Sequence, residues 1–94
     1  PLSATEAASM GLIHQAVDDA DFQEAVGSLS SKLASMPTRG LGLTKKALHA
    51  AMNQDLHSQL ELELALQFQA AETDDYAEGV SAFLEKRKPR FTGK

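Results

Sequence analysis

The stretch "DLHSQLELELALQFQAAE" does most to limit what this chain can fold into. Leu60, Leu62, Leu64, Leu66 and Phe68 alternate with polar residues, as in a strand. Yet Leu, Glu, Gln and Ala are strong helix formers, and no β-branched residue occurs there. The composition therefore predicts a helix over 56–70. Wound at 3.6 residues per turn, Leu56, Leu60, Leu64 and Phe68 share one face, and Leu62 and Leu66 point nearly opposite. A helix apolar on two faces is buried on two faces. The chain has 94 residues, and a domain of that size has few layers with which to cover both. One face is expected to meet another chain or a further part of the same protein. The alternative is a helix central to its own bundle.

The rest of the sequence also reads as helical. "SATEAASMG" opens on a capping box, Ser3 with Glu6, and Gly11 is a natural stop. "LIHQAV" is rich in branched residues and reads as a short strand or an extended connection. In "DADFQEAVGSLSSKLASMP", Phe22, Val26, Leu29, Leu33 and Met36 make one stripe; Asp19 or Asp21 can cap it and Pro37 ends it. Gly27 inside this helix suggests a close backbone approach. "TRGLGLTKKALHAAMNQ" predicts a weaker helix that ends near Met52. In "DDYAEGVSAFLEKR", Asp75 and Glu78 read as a second capping box, with Tyr76, Val80, Phe83 and Leu84 as the stripe. Gly79 would permit a close approach there. The expected class is all-α, about five helices with one short extended segment.

Charge adds one asymmetry. The formal net charge is -4, but Lys86, Arg87, Lys88, Arg90 and Lys94 crowd into the last nine residues. The remainder holds only Lys32, Arg39, Lys45 and Lys46 against all 13 acids. This pattern argues against a general nucleic-acid surface. It leaves two readings of the tail, a solvated frayed end or a site for one local anionic partner. The sequence has no cysteine, so no disulfide framework or thiolate metal site is expected, and a reducing, cytoplasmic compartment is the default. No apolar run approaches the length of a membrane span. The first residue is Pro1 rather than Met, as in a processed or excised chain.

A self-contained active site is not found. His14, His49 and His57 lack metal-ligand spacing. No nucleophile elbow, phosphate loop or dinucleotide fingerprint occurs, since "RGLGL" lacks a third glycine and a preceding strand. Glu61 and Glu63 sit two apart and diverge on a helix, so they cannot act as an acid/base pair. From the residues alone, the chain is a helical module with an interaction face and a basic end. It would be either free-standing or part of something larger.

Several runs carry a resemblance. "LSATEAASMGLIHQAVDD", "LASMP", "KKAL" and "DDYAEGVSAFLEKRKPRFTGK" together resemble the C-terminal part of the enoyl-CoA hydratase/isomerase (crotonase) family. "LGLTKKAL" and "QLELE" look most like its phenylacetate-pathway branch. The resemblance implies residues 1–17 as the end of a spiral core, a helix plus a short strand. It implies 18–94 as a C-terminal helical region that makes trimer contacts and covers the acyl pocket. The implied substrate is a coenzyme A thioester, with no covalently bound cofactor and no metal. The implied partner is a second copy of the chain, in a trimer or a dimer of trimers, with no nucleic acid or membrane. No catalytic residue is assigned in this chain. Two residues match family positions near the coenzyme. Lys86 matches the lysine of the "EKR" motif, a contact for the nucleotide phosphates, and Arg87 and Lys88 could equally supply the field. Phe83 matches the aromatic near the acyl pocket, with plain core packing as its alternative.

Overall fold

A computed structural model describes all 94 residues. They form five helices and no strand: α1 (Ala4–Ser9), α2 (Phe22–Ala34), α3 (Thr38–Ala51), α4 (Leu56–Ala71) and α5 (Asp74–Leu84). The chain divides into two compact units, Pro1–Ser31 and Lys32–Lys94.

In the first unit, α1 starts on the expected capping box. The Glu6 amide donates to Ser3 Oγ at 3.2 Å, and the Ser3 amide and hydroxyl donate to Glu6 Oε2 at 2.9 and 2.6 Å. These bonds lower the Glu6 pKa, the Ser3 hydroxyl acting most. The helix ends at Gly11, whose φ of 74° lies in the left-handed region. There the Gly11 amide reaches Ala8 O at 3.0 Å and the Leu12 amide reaches Ala7 O at 2.9 Å, a Schellman motif.

Residues 12–17 are an irregular connection and not a short strand. A strand needs a neighbour to take its amides and carbonyls, and here the Leu12 and Ile13 amides turn back onto Ala7. α2 is entered through main-chain bonds to the carbonyls of Asp18, Asp19 and Asp21, so these aspartates contribute their backbone at the helix start. A Cβ on Gly27 would meet nothing within 4 Å, so the expected close approach does not occur.

In the second unit α4 packs on α3 and α5. Asp55 caps α4, accepting the Ser58 amide at 2.8 Å. Only one of the two predicted apolar faces of α4 is covered. Leu66 is 5% exposed, and Gln59 is buried beside it. Gln59 Nε2 donates to Ala47 O at 3.1 Å and Glu63 Oε1 at 2.7 Å, and Gln59 Oε1 accepts from Gln54 at 2.6 Å. A polar side chain is tolerated between α3 and α4 because all these bonds are made. The other face, Leu56, Leu60, Leu64 and Phe68, is between 56 and 73% exposed.

α5 begins two residues earlier than a capping box at Asp75 would place it. Thr73 is the cap: its Oγ1 accepts the Tyr76 amide at 3.1 Å and donates to Ala70 O at 2.7 Å. That leaves Asp75 and Glu78 for a different task.

Candidate functional site

α5 ends with the same backbone device as α1. The Lys86 amide donates to Phe83 O at 3.2 Å and the Arg87 amide to Ala82 O at 3.0 Å. The left-handed position of this Schellman motif, held by Gly11 in α1, is here held by Lys86, with φ 54°. It is the single non-glycine residue of the chain with positive φ. A Cβ in that region costs about 1–2 kcal/mol, so glycine is the usual occupant. The backbone therefore places a strained lysine at the tip of the turn, exposed to solvent.

Past Lys86 the basic run is not a frayed tail. It folds back along α5 and is held by two acids. The Arg87 guanidinium forks onto Glu78, Nη1 to Oε1 at 2.7 Å and Nη2 to Oε2 at 2.9 Å, while its Nε donates to Glu85 Oε2 at 2.6 Å. The Arg90 amide adds a bond to Glu78 Oε1 at 2.7 Å. The Arg87 hydrogen bonds, then the Arg90 amide, hold the Glu78 pKa at about 2 against an ordinary 4.5. The same fork, with Glu85, raises the Arg87 pKa.

One turn earlier, Asp75 is 3% exposed. Its Oδ1 accepts the Thr92 amide at 2.6 Å and its Oδ2 the Gly93 amide at 2.8 Å. Its own amide donates to Lys94 O at 3.1 Å. Gly93 has φ 77°, and a Cβ there would lie 2.6 Å from Thr38 Oγ1, so a side chain would be strained and would have to displace Thr38. Phe91 lies over Gly79, where a Cβ would meet its ring at 3.6 Å, an ordinary van der Waals distance, so the position does not require glycine.

Two recesses flank this arrangement. One, of about 760 Å³, is lined by Glu78, Arg87, Lys88, Pro89 and Arg90. The other is an apolar groove of about 430 Å³ whose walls include Tyr76, Gly79, Val80, Phe83, Leu84 and Phe91. Phe83 is 82% exposed in this chain.

The structure thus divides the five cations. Arg87 is occupied by Glu78 and Glu85 and is not an equal supplier of positive field. No ion pair engages Lys86, Lys88, Arg90 or Lys94. Sequence reasoning missed Asp75 and Glu78 as the tail's anchors. The available signal was two acids a helical turn apart, upstream of a run that mixes cations with Pro89 and Gly93. Elsewhere, His57 meets only Glu61, at 3.4 Å in an exposed pair, and no three His, Asp or Glu side chains gather in one place. No helix is long and apolar enough to cross a membrane.

The family profile described as enoyl-CoA hydratase/isomerase matches residues 1–94. The 1,2-epoxyphenylacetyl-CoA isomerase of Escherichia coli is 48% identical over 99% of this chain and 36% of its own length. A probable enoyl-CoA hydratase of Rhodobacter capsulatus is 45% identical with the same coverage, 99 and 36%. A crystal structure of an enoyl-CoA hydratase from Bacillus anthracis superposes with a TM-score of 0.84 at 33% identity, covering 98% of this chain and 36% of that one. The chain therefore spans about a third of the length of the relatives it matches. With its whole length matched and its helical fold shared with these enzymes, the chain belongs to the enoyl-CoA hydratase/isomerase family.

Proposed function

We propose that these residues are the C-terminal helical part of an acyl-CoA-acting enzyme, contributing subunit contacts and part of the coenzyme A site. The observation that carries the reading is the uncovered leucine face of α4, Leu56, Leu60, Leu64 and Phe68. Burying one such side chain is worth about 1.5–3 kcal/mol, so a stripe of four is a surface made to be covered. In the parent, the cover would be the catalytic core or a neighbouring subunit of a homo-oligomer.

Backbone amides outside this chain would stabilise a thioester enolate, and carboxylates outside it would move the proton. This chain's share is binding. Lys86, exposed on a strained turn, would meet the nucleotide phosphates of the thioester, a suitable task for a compact, mobile ammonium. Phe83, on the rim of the apolar groove, would lie against the pantetheine or acyl end. For the acyl group, identity to the E. coli isomerase favours the ring epoxide of phenylacetyl-CoA.

The test has two arms. The chain alone is expected to be inactive, and turnover of crotonyl-CoA or an enoyl-CoA isomer by it would overturn the assignment. In the full-length protein, Lys86→Ala should raise the KM for the acyl-CoA, and an unchanged KM would discard the phosphate role.

A further inference from the structure

Lys86 stands between two residues that are bonded to each other, Glu85 and Arg87. Main-chain bonds to Ala82 and Phe83 hold the turn on one side. These belong to the last turn of α5, where helices fray. On the other side the chain is held by side chains, through the fork of Arg87 on Glu78 and the bond from the Arg90 amide to the same carboxylate.

Both Glu78 oxygens are occupied by this arrangement. Glu78 therefore neither pairs with Lys86 nor competes with an incoming anion for it. Arg87, in turn, is withdrawn from any ligand. Glu78 and Glu85 are thus both used to shape the basic turn, and the ammonium at its tip is left unpaired.

We infer that Glu78 is a positioning residue: through its fork with Arg87 it fixes the turn that carries Lys86, and so sets the affinity for the nucleotide phosphates of an acyl-CoA without touching them. The inference rests on the reading of Lys86 as the phosphate contact. Without the fork, the segment between the Arg87 amide and the Asp75 anchor at Thr92 loses its hold on α5, and binding must order it first. Ordering one side chain of such a segment on binding weakens affinity by about three- to tenfold.

The experiment compares an acyl-CoA with the same acyl group on pantetheine, which lacks the nucleotide phosphates, using the full-length protein. The variants are Glu78→Gln and Arg87→Gln, which break the fork from either side, and Lys86→Met, alone and combined with Glu78→Gln. The inference expects each fork variant to raise the KM for the acyl-CoA about three- to tenfold. It also expects little change in kcat, little change with the pantetheine thioester, and no further rise when Glu78→Gln is added to Lys86→Met.

An equal loss on both substrates, or failure of both fork variants to fold, would show a purely structural pair and overturn the inference. An effect of Lys86→Met without any effect of the fork variants would overturn it too, while leaving the phosphate reading standing. A Lys86→Met variant with unchanged KM would remove the phosphate reading and the inference with it.

Discussion

Arg87 reaches back across the end of α5 to Glu78 with two parallel bonds of 2.7 and 2.9 Å, closing a loop that folds the basic tail against its own helix. A bidentate guanidinium–carboxylate pair fixes orientation as well as charge. The first consequence concerns pH. Glu78 ionises at about 2 in the folded chain against an ordinary 4.5. A depressed carboxylate pKa contributes stability that is present above the unfolded value and is lost as pH falls through the folded one. The fork should therefore be intact above about pH 4.5 and open progressively towards pH 2. The protection of the Arg90 amide, its exchange measured against the intrinsic rate at the same pH, should fall across that window in the wild type. It should already be low at neutral pH in Glu78→Gln, and a wild-type protection free of any carboxylate titration would contradict the assignment.

Lys86→Gly separates stability from function at one position. Removing the Cβ relieves about 1–2 kcal/mol of left-handed strain, and the freer unfolded chain takes back about 0.4–1 kcal/mol. A net gain of about 0.5–1 kcal/mol in denaturant unfolding is expected, together with weaker acyl-CoA binding by the full-length protein. A variant that is less stable than wild type would mean that the Lys86 side chain helps hold the turn.

Asp75 and Gly93 hold the far end of the tail. Asp75→Ala leaves the Thr92 and Gly93 amides without their acceptor and should cost about 1.5–3 kcal/mol, the usual worth of bonds to a charged group. Gly93→Ala should cost about 1–2 kcal/mol, because a Cβ at positive φ would also press on Thr38 Oγ1. Chemical denaturation measures both changes. Loss of amide protection confined to residues 92–94 would show that the tail opens without the helices.

The two faces of α4 should respond in opposite ways. Leu66→Ala, at a buried position, should destabilise the chain by about 2–5 kcal/mol. Leu60→Gln and Leu64→Gln, at exposed positions, should each change the stability of this chain by less than about 0.5 kcal/mol. The same exposed-face pair should reduce self-association measured by sedimentation velocity. A cost at Leu60 matching that at Leu66 would place the leucine stripe inside the chain's own packing.

Much of this architecture was legible in the residues. Helix formers without β-branched neighbours placed α4, Pro37 and Gly11 marked helix ends, and the Ser3–Glu6 box marked a beginning, because each is decided within a few residues of backbone. The double apolar pattern of α4 also announced that one face would lack a cover within a chain of this size. Of the two readings of 12–17, strand or connection, this chain shows the connection, a choice local sequence cannot make, since a strand exists only when another lies beside it.

The tail shows the division most clearly. Composition determined that the chain would end in a cluster of cations, and an aligned motif singled out Lys86. Which cation stays free was decided by tertiary structure alone. Thr73 took the cap of α5, and that released Asp75 and Glu78 to bind the returning chain. The left-handed turn at Lys86 brought Arg87, nine positions along the sequence, within hydrogen-bond reach of Glu78. Local propensity acts over one helical turn. A contact that depends on the exact reversal of the backbone between its partners is written in the fold and is invisible in the spacing.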